Sequence, residues 1–95
     1  MIKLSDYVFQ FLQGKGVQYA FMLPGGGAMH LDDSIGRSGI QYICTLHEQA
    51  AAVAAEAYAQ HTNRIGVCLT TSGPGATNAI TGITAGWICL LYTSP

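Results

Sequence analysis

An α/β fold is predicted for this chain, a three-layer arrangement with a parallel sheet flanked by helices. Three observations predict it. Apolar runs of strand length alternate with helix-like stretches from end to end, the order expected when a parallel sheet is wound through helical crossovers. Two of those runs stop abruptly at glycine-rich breakers, Pro24-Gly25-Gly26-Gly27 and Ser72-Gly73-Pro74-Gly75. Between the breakers lies a stretch so rich in alanine that only a helix packed closely on its neighbours accounts for it.

Taken in order, Ser5 suits the N-cap of a first helix over Asp6–Gln13, with Val8, Phe9, Phe11 and Leu12 as its apolar residues. Gly14 and Gly16 end it. Val17–Leu23 reads as a buried strand, and proline and the three glycines then break the chain. A short helix from Ala28 to about Ser34 follows, then a loop at Gly36–Gly39. Ile40–Thr45 reads as a second strand. His47–Gln60 is the clearest helix, because seven of the ten residues from Ala50 to Ala59 are alanine. Arg64–Thr71 is a third strand with Ile65, Val67 and Leu69 alternating, and Ala76 to about Ile88 has the composition of a last helix.

The 95 residues suffice for one small domain. Hydrophobic residues make up 49% of them and charged residues only 9%, where soluble domains carry about 25% charged. So sparse a charge predicts that much of the surface meets other protein, in a homo-oligomer or within a larger chain. The alanine helix, almost without charge, is expected between layers or at a subunit interface. Lys3, Lys15, Arg37 and Arg64 are scattered and the net charge is −1, which offers nucleic acid no basic stripe. No apolar run is long enough for a membrane span, and the amino terminus does not read as a signal peptide; a cytoplasmic location is expected. Three widely spaced cysteines suit neither a disulfide framework nor a zinc site, and Cys44 and Cys68, inside apolar runs, read as buried structural thiols.

In open parallel sheets, ligands bind beyond the carboxyl ends of the strands. Pro24–Gly27, Leu46–Gln49 and Ser72–Asn78 fall there. Two are glycine-rich loops that let a ligand reach the backbone. The third sets His47 and Glu48 at a helix start, where a carboxylate complements the helix dipole. Glu48 is then either a simple first-turn residue or a functional carboxylate, and His47 either a satisfied polar residue or part of the same site. Gly73-Pro74-Gly75-Ala76-Thr77-Asn78 partly matches a dinucleotide fingerprint, but ends in asparagine and lacks the later acidic residue.

The three segments together, Leu23-Pro24-Gly25-Gly26, His47-Glu48-Gln49-Ala50-Ala51 and Thr71-Ser72-Gly73-Pro74-Gly75-Ala76-Thr77-Asn78, resemble the amino-terminal, pyrimidine-binding domain of thiamine-diphosphate-dependent enzymes of the acetolactate synthase group. The resemblance runs from about Leu4 to Ile88. It implies a carboligase or decarboxylase acting on a 2-keto acid, with thiamine diphosphate as cofactor. Glu48 falls on the family's glutamate, which bonds a ring nitrogen of the aminopyrimidine and favours the imino tautomer that deprotonates the thiazolium carbon to the ylid. A carboxyl group is needed to share a proton with that weakly basic nitrogen, and an apolar pocket is expected to raise its pKa. Pro74 and Asn78 would lie against the cofactor, and Pro24 and Gly25 would line the pocket near its reactive end. By the same resemblance a separate domain, absent from these residues, holds the diphosphate and Mg2+. The active site forms at a homo-oligomer interface, and the complete enzyme leaves room for FAD. Residues 1–88 thus read as a partial pyrimidine-binding domain. Residues 89–95 form an off-pattern tail, because the family's acidic residue, small polar residue and proline do not follow Ile88. His30 also departs, standing where many relatives carry proline, and reads as a surface or capping residue. A nucleotide-binding module and an inert interaction domain are the competing readings.

Overall fold

Every residue of the central strand has two faces to cover, and this chain covers them with different helices. A computed structural model describes residues 2–88, so the tail expected at 89–95 lies outside the described residues. The elements run α1 (Leu4–Gly14), β1 (Tyr19–Met22), a 3₁₀ turn (Gly26–Ala28), α2 (Met29–Arg37), β2 (Gln41–Cys44), α3 (Glu48–Thr62), β3 (Val67–Leu69), α4 (Pro74–Asn78) and α5 (Ile80–Ile88). The sheet is parallel with order β2-β1-β3; Tyr19 stands opposite Gln41 in β2, and Ala20 opposite Val67 in β3.

Burial alternates along β1 because side chains alternate along a strand. Ala20 and Met22 join Phe9 of α1, Ile35 of α2, Val17 and Ile40 in the main core. On the opposite face Tyr19 and Phe21 meet Tyr58 of α3, with ring centroids 5.8 and 6.0 Å apart. Helices therefore cover both faces of the sheet, and the expected three layers are present.

The expected strands are present but shorter, and three local readings need correction. Ser5 is not the N-cap. Helix α1 begins at Leu4 with Lys3 as cap, and Ser5 is buried, accepting a hydrogen bond from the Ser34 hydroxyl at 2.7 Å. That buried pair ties α1 to α2, while Arg37 spans Asp6 and Asp33 in exposed contacts that contribute little. Second, α2 continues to Arg37 through Gly36, because the Ser38 amide closes its last turn on Ser34 and Ile35. Third, the last helix is two helices. One buried residue, Ala79 (φ −85°, ψ −7°), separates α4 from α5.

The alanine helix packs as its composition predicts. Ala51, Ala52 and Ala55 are buried, and a Cβ added at Gly82 of α5 would stand 2.5 Å from Ala52 Cβ and 2.7 Å from its carbonyl carbon. A side chain there meets backbone, which cannot step aside. Its other side, with Ala50, Val53 and Ala57, is exposed. Gly82→Ala should therefore cost about 1–3 kcal/mol through overpacking. Gly36→Ala, in open space on exposed α2, should be neutral or gain up to about 1 kcal/mol. Urea unfolding of the two variants beside the parent measures both, and equal midpoints would refute the close α3–α5 approach.

Candidate functional site

All three predicted segments meet at the carboxyl end of the sheet. The winding explains why. From β1 the chain moves outward to β2, then crosses back past β1 to β3, so the loops after β1 and β3 diverge to opposite faces. A crevice opens at such a reversal. Gly73 leaves β3 with φ +73°, a backbone that side chains other than glycine rarely adopt, and Pro74 then starts α4 with its fixed φ and missing amide. His47 is the N-cap of α3; its Nδ1 accepts from the Gln49 amide at 3.0 Å, which fixes the turn and leaves Glu48 as the first helical residue.

Glu48 is 9% exposed and lies against α4. Asn78 Nδ2 donates to its Oε1 at 3.2 Å, across thirty residues of sequence, and a Cβ added at Gly75 would stand 3.4 Å from its Oε2. The carboxyl is held below the ordinary glutamate range, by its own backbone amide first and the Asn78 amide second. Burial pushes the other way and His47 adds a smaller downward pull. This corrects the expected upward shift: the donors gathered at the helix start outweigh the loss of water.

Glu48, Asn78, and the Pro74–Gly75 helix start are thus one cluster. Gly25 approaches it from β1, half-buried, with exposed Pro24 beside it. The Gly25 amide donates to Asp32 Oδ2 at 3.2 Å, while Asp32 Oδ1 is buried with no hydrogen-bond partner among the described residues. Asp32 was missed in the sequence, although an acidic residue in a first helical turn just after a glycine run is a readable sign. Thr71, touching both glycine loops, was missed as well. His30 is exposed on α2. Cys44 is exposed, against expectation, because β2, an edge strand among the described residues, is exposed along its whole length. Cys68 is half-buried, and burial, then the Glu48 charge, push its thiol up, away from reactivity.

A separate groove of about 640 Å³ lies between α3, β3 and α5, walled by Ala52, Ala55, Ala59, Val67, Ala79 and Ile83. Glu48 is not part of it. Among the described residues no three His, Cys, Asp or Glu are gathered to hold a metal, and no helix is long and apolar enough to cross a membrane. The dinucleotide alternative gains nothing from α4, a five-residue helix whose Asn78 is turned to Glu48.

Comparison with known proteins matches residues 2–88 to the family described as thiamine pyrophosphate enzyme, N-terminal TPP binding domain. The chain belongs to that family. Among curated relatives, the acetolactate synthase large subunit of Haemophilus influenzae is 50% identical over 86 residues, which are 87% of this chain and 15% of the relative. The acetolactate synthase isozyme 2 large subunit of Escherichia coli is 44% identical over 79 residues, 83% of this chain and 14% of the relative. The large subunit of Lactococcus lactis is 49% identical over 80 residues, with the same two shares of 83% and 14%. This member of the family thus spans about 15% of the length of the relatives it matches.

The lowered Glu48 carboxyl makes a pH-dependent contribution of known sign. Its stabilisation is complete above the ordinary glutamate value of 4.5 and is lost as pH falls through the lowered value. Glu48→Gln should therefore lose less stability than the parent on acidification below about pH 5. Urea midpoints of both proteins along a pH series decide it, and parallel acid limbs would count against the Asn78 and amide contacts.

Proposed function

We propose that this chain forms the pyrimidine-side half of a thiamine-diphosphate site, in an enzyme of acetolactate synthase type acting on a 2-keto acid. Glu48 is the carboxylate that engages the cofactor's aminopyrimidine. One observation carries the reading: in a domain of this family, Glu48 heads α3 with Asn78 on one of its oxygens and bare glycine backbone near the other.

The residues fit the ring end of the cofactor. A flat ring needs backbone within reach, and Gly75 brings bare backbone close to Glu48 Oε2 with no side chain of its own between them. Bound thiamine diphosphate supplies the carbanion chemistry. Asn78 holds Oε1 in place, and Oε2 can share a proton with a ring nitrogen. A ring laid over Glu48 strips away its remaining water, and that desolvation raises the carboxyl's proton affinity from its low starting value. Pro74 lies with Asn78 on the ring side, and Pro24 and Gly25 line the crevice toward the reactive end. The diphosphate and Mg2+ would be held by another part of the complete enzyme, as the resemblance implies.

A partner surface is also part of the proposal. Leu46 is 100% exposed two positions before Glu48, and Val53 is exposed on the open side of α3. Apolar residues beside a half-formed site suit a homo-oligomer whose second subunit completes it.

Two outcomes are expected. The 95-residue chain should not turn over pyruvate, and turnover by it would overturn the half-site. In a chimaera carrying residues 2–88 in place of the matching segment of the Haemophilus influenzae subunit, Glu48→Gln should slow exchange of the thiazolium proton by about 10²–10⁴-fold. NMR follows that exchange directly, and an unchanged rate would remove Glu48 from the mechanism.

A further inference from the structure

Thr71 stands two residues beyond the end of β3, at the foot of the crevice between the diverging loops. Its branched side chain meets three glycines, with a different atom nearest to each. A Cβ at Gly25 would come within 2.6 Å of Thr71 Cβ, one at Gly27 within 2.5 Å of Oγ1, and one at Gly75 within 2.7 Å of Cγ2. Real Cβ atoms essentially never approach others closer than 3.0 Å. So Thr71 occupies the space that side chains at three positions would need, and it does so rigidly, because a β-branched residue has little χ1 freedom. Gly75 is the point where this matters for chemistry. An added Cβ there is caught between Thr71 Cγ2 on one side and Glu48 Oε2, 3.4 Å away, on the other.

We propose that Thr71 is a positioning residue: its methyl group and Cβ set the gap between the two glycine loops and so fix where Glu48 and Asn78 stand. The role rests on Glu48 being the functional carboxylate, but the contact pattern can be tested without any cofactor. Shape rather than the hydroxyl sets the Gly25 and Gly75 contacts, so the pattern of rescue is specific. Serine keeps Cβ and Oγ but lacks Cγ2. Thr71→Ser therefore removes the one contact under 3.0 Å at Gly75, whereas at Gly25 it removes the 2.8 Å contact with Cγ2 and leaves the closer one, 2.6 Å to Cβ.

The test uses the 95-residue chain, with urea unfolding and the carboxyl carbon resonance of Glu48 as readouts. Gly75→Ala should lower the folding equilibrium constant roughly five-fold to a hundred-fold, the range of overpacked sites, and should displace the Glu48 resonance. Adding Thr71→Ser should restore most of the stability and return the resonance toward its parent position. Gly25→Ala should suffer a similar loss that Thr71→Ser relieves less than it does at Gly75, because the 2.6 Å contact with Cβ remains. Gly66→Ala, which collides with the Ala55 backbone two turns along α3 from Glu48, should destabilise while leaving the Glu48 resonance in place. If Gly75→Ala fails to fold, folding of the Thr71→Ser/Gly75→Ala pair still supports the role. Equal losses with and without Thr71→Ser, no loss in Gly75→Ala, or an unmoved Glu48 resonance would overturn it. Thiamine diphosphate added to the same samples reads the functional proposal separately. A cofactor that leaves the Glu48 resonance of the parent untouched counts against that proposal, and the spacer result stands on its own.

Discussion

The parallel pairing of β1 on both sides is the constraint from which the rest of the molecule follows. A strand bonded on both edges can be covered only above and below, so its four residues must serve two cores at once. Ala20 and Met22 take α1 and α2; Tyr19 and Phe21 take α3. Once one crossover lies on each face, the chain must leave β1 and β3 in opposite directions. The two glycine loops come together where those directions part, with Thr71 between them.

Glu48 shows how a helix start serves as a chemical device. A carboxylate at that position gains from the partial positive charge of free amides, and His47 spends its own side chain fixing the turn. Asn78 then reaches across from α4. In the free protein these donors win over burial, and the carboxyl is readily ionised. Under the role proposed for Glu48, such firm partners would keep the carboxylate aimed, and a ring bound over it would raise its proton affinity by removing water.

How much of this was legible depends on how local the signal is. Strand ends, the His47 cap and Glu48 lie in stretches where composition changes within two or three residues, and the chain reads them plainly. The break at Ala79 has no such mark, because Ala76 to Ile88 is uniformly helix-compatible and only packing against α3 decides where it breaks. Ser5 looks like a cap by type, yet its partner is Ser34, twenty-nine residues away. Cys44 looked buried by its neighbours but lies on a strand exposed along its whole length. Thr71 acts on Gly25 across the fold, at a separation that no local pattern records, and its residue type is ordinary for a strand end. Asp32 lies seven residues from Gly25, within reach of a local reading.

The scarcity of charge follows from the same economy of space. Ala52 and Ala55 admit Gly82 and Gly66 to their own backbone, so a larger side chain on that side of α3 would force the layers apart. A helix built for such contact has little room for lysine or glutamate on that side. On its open side, however, Val53 is also apolar, and Leu46 stands fully in solvent at the mouth of the crevice. Burial within this domain explains the first set of residues and not the second. Apolar side chains that the domain's own packing does not use thus stand beside the carboxylate it does position, as the partner surface proposed above would require.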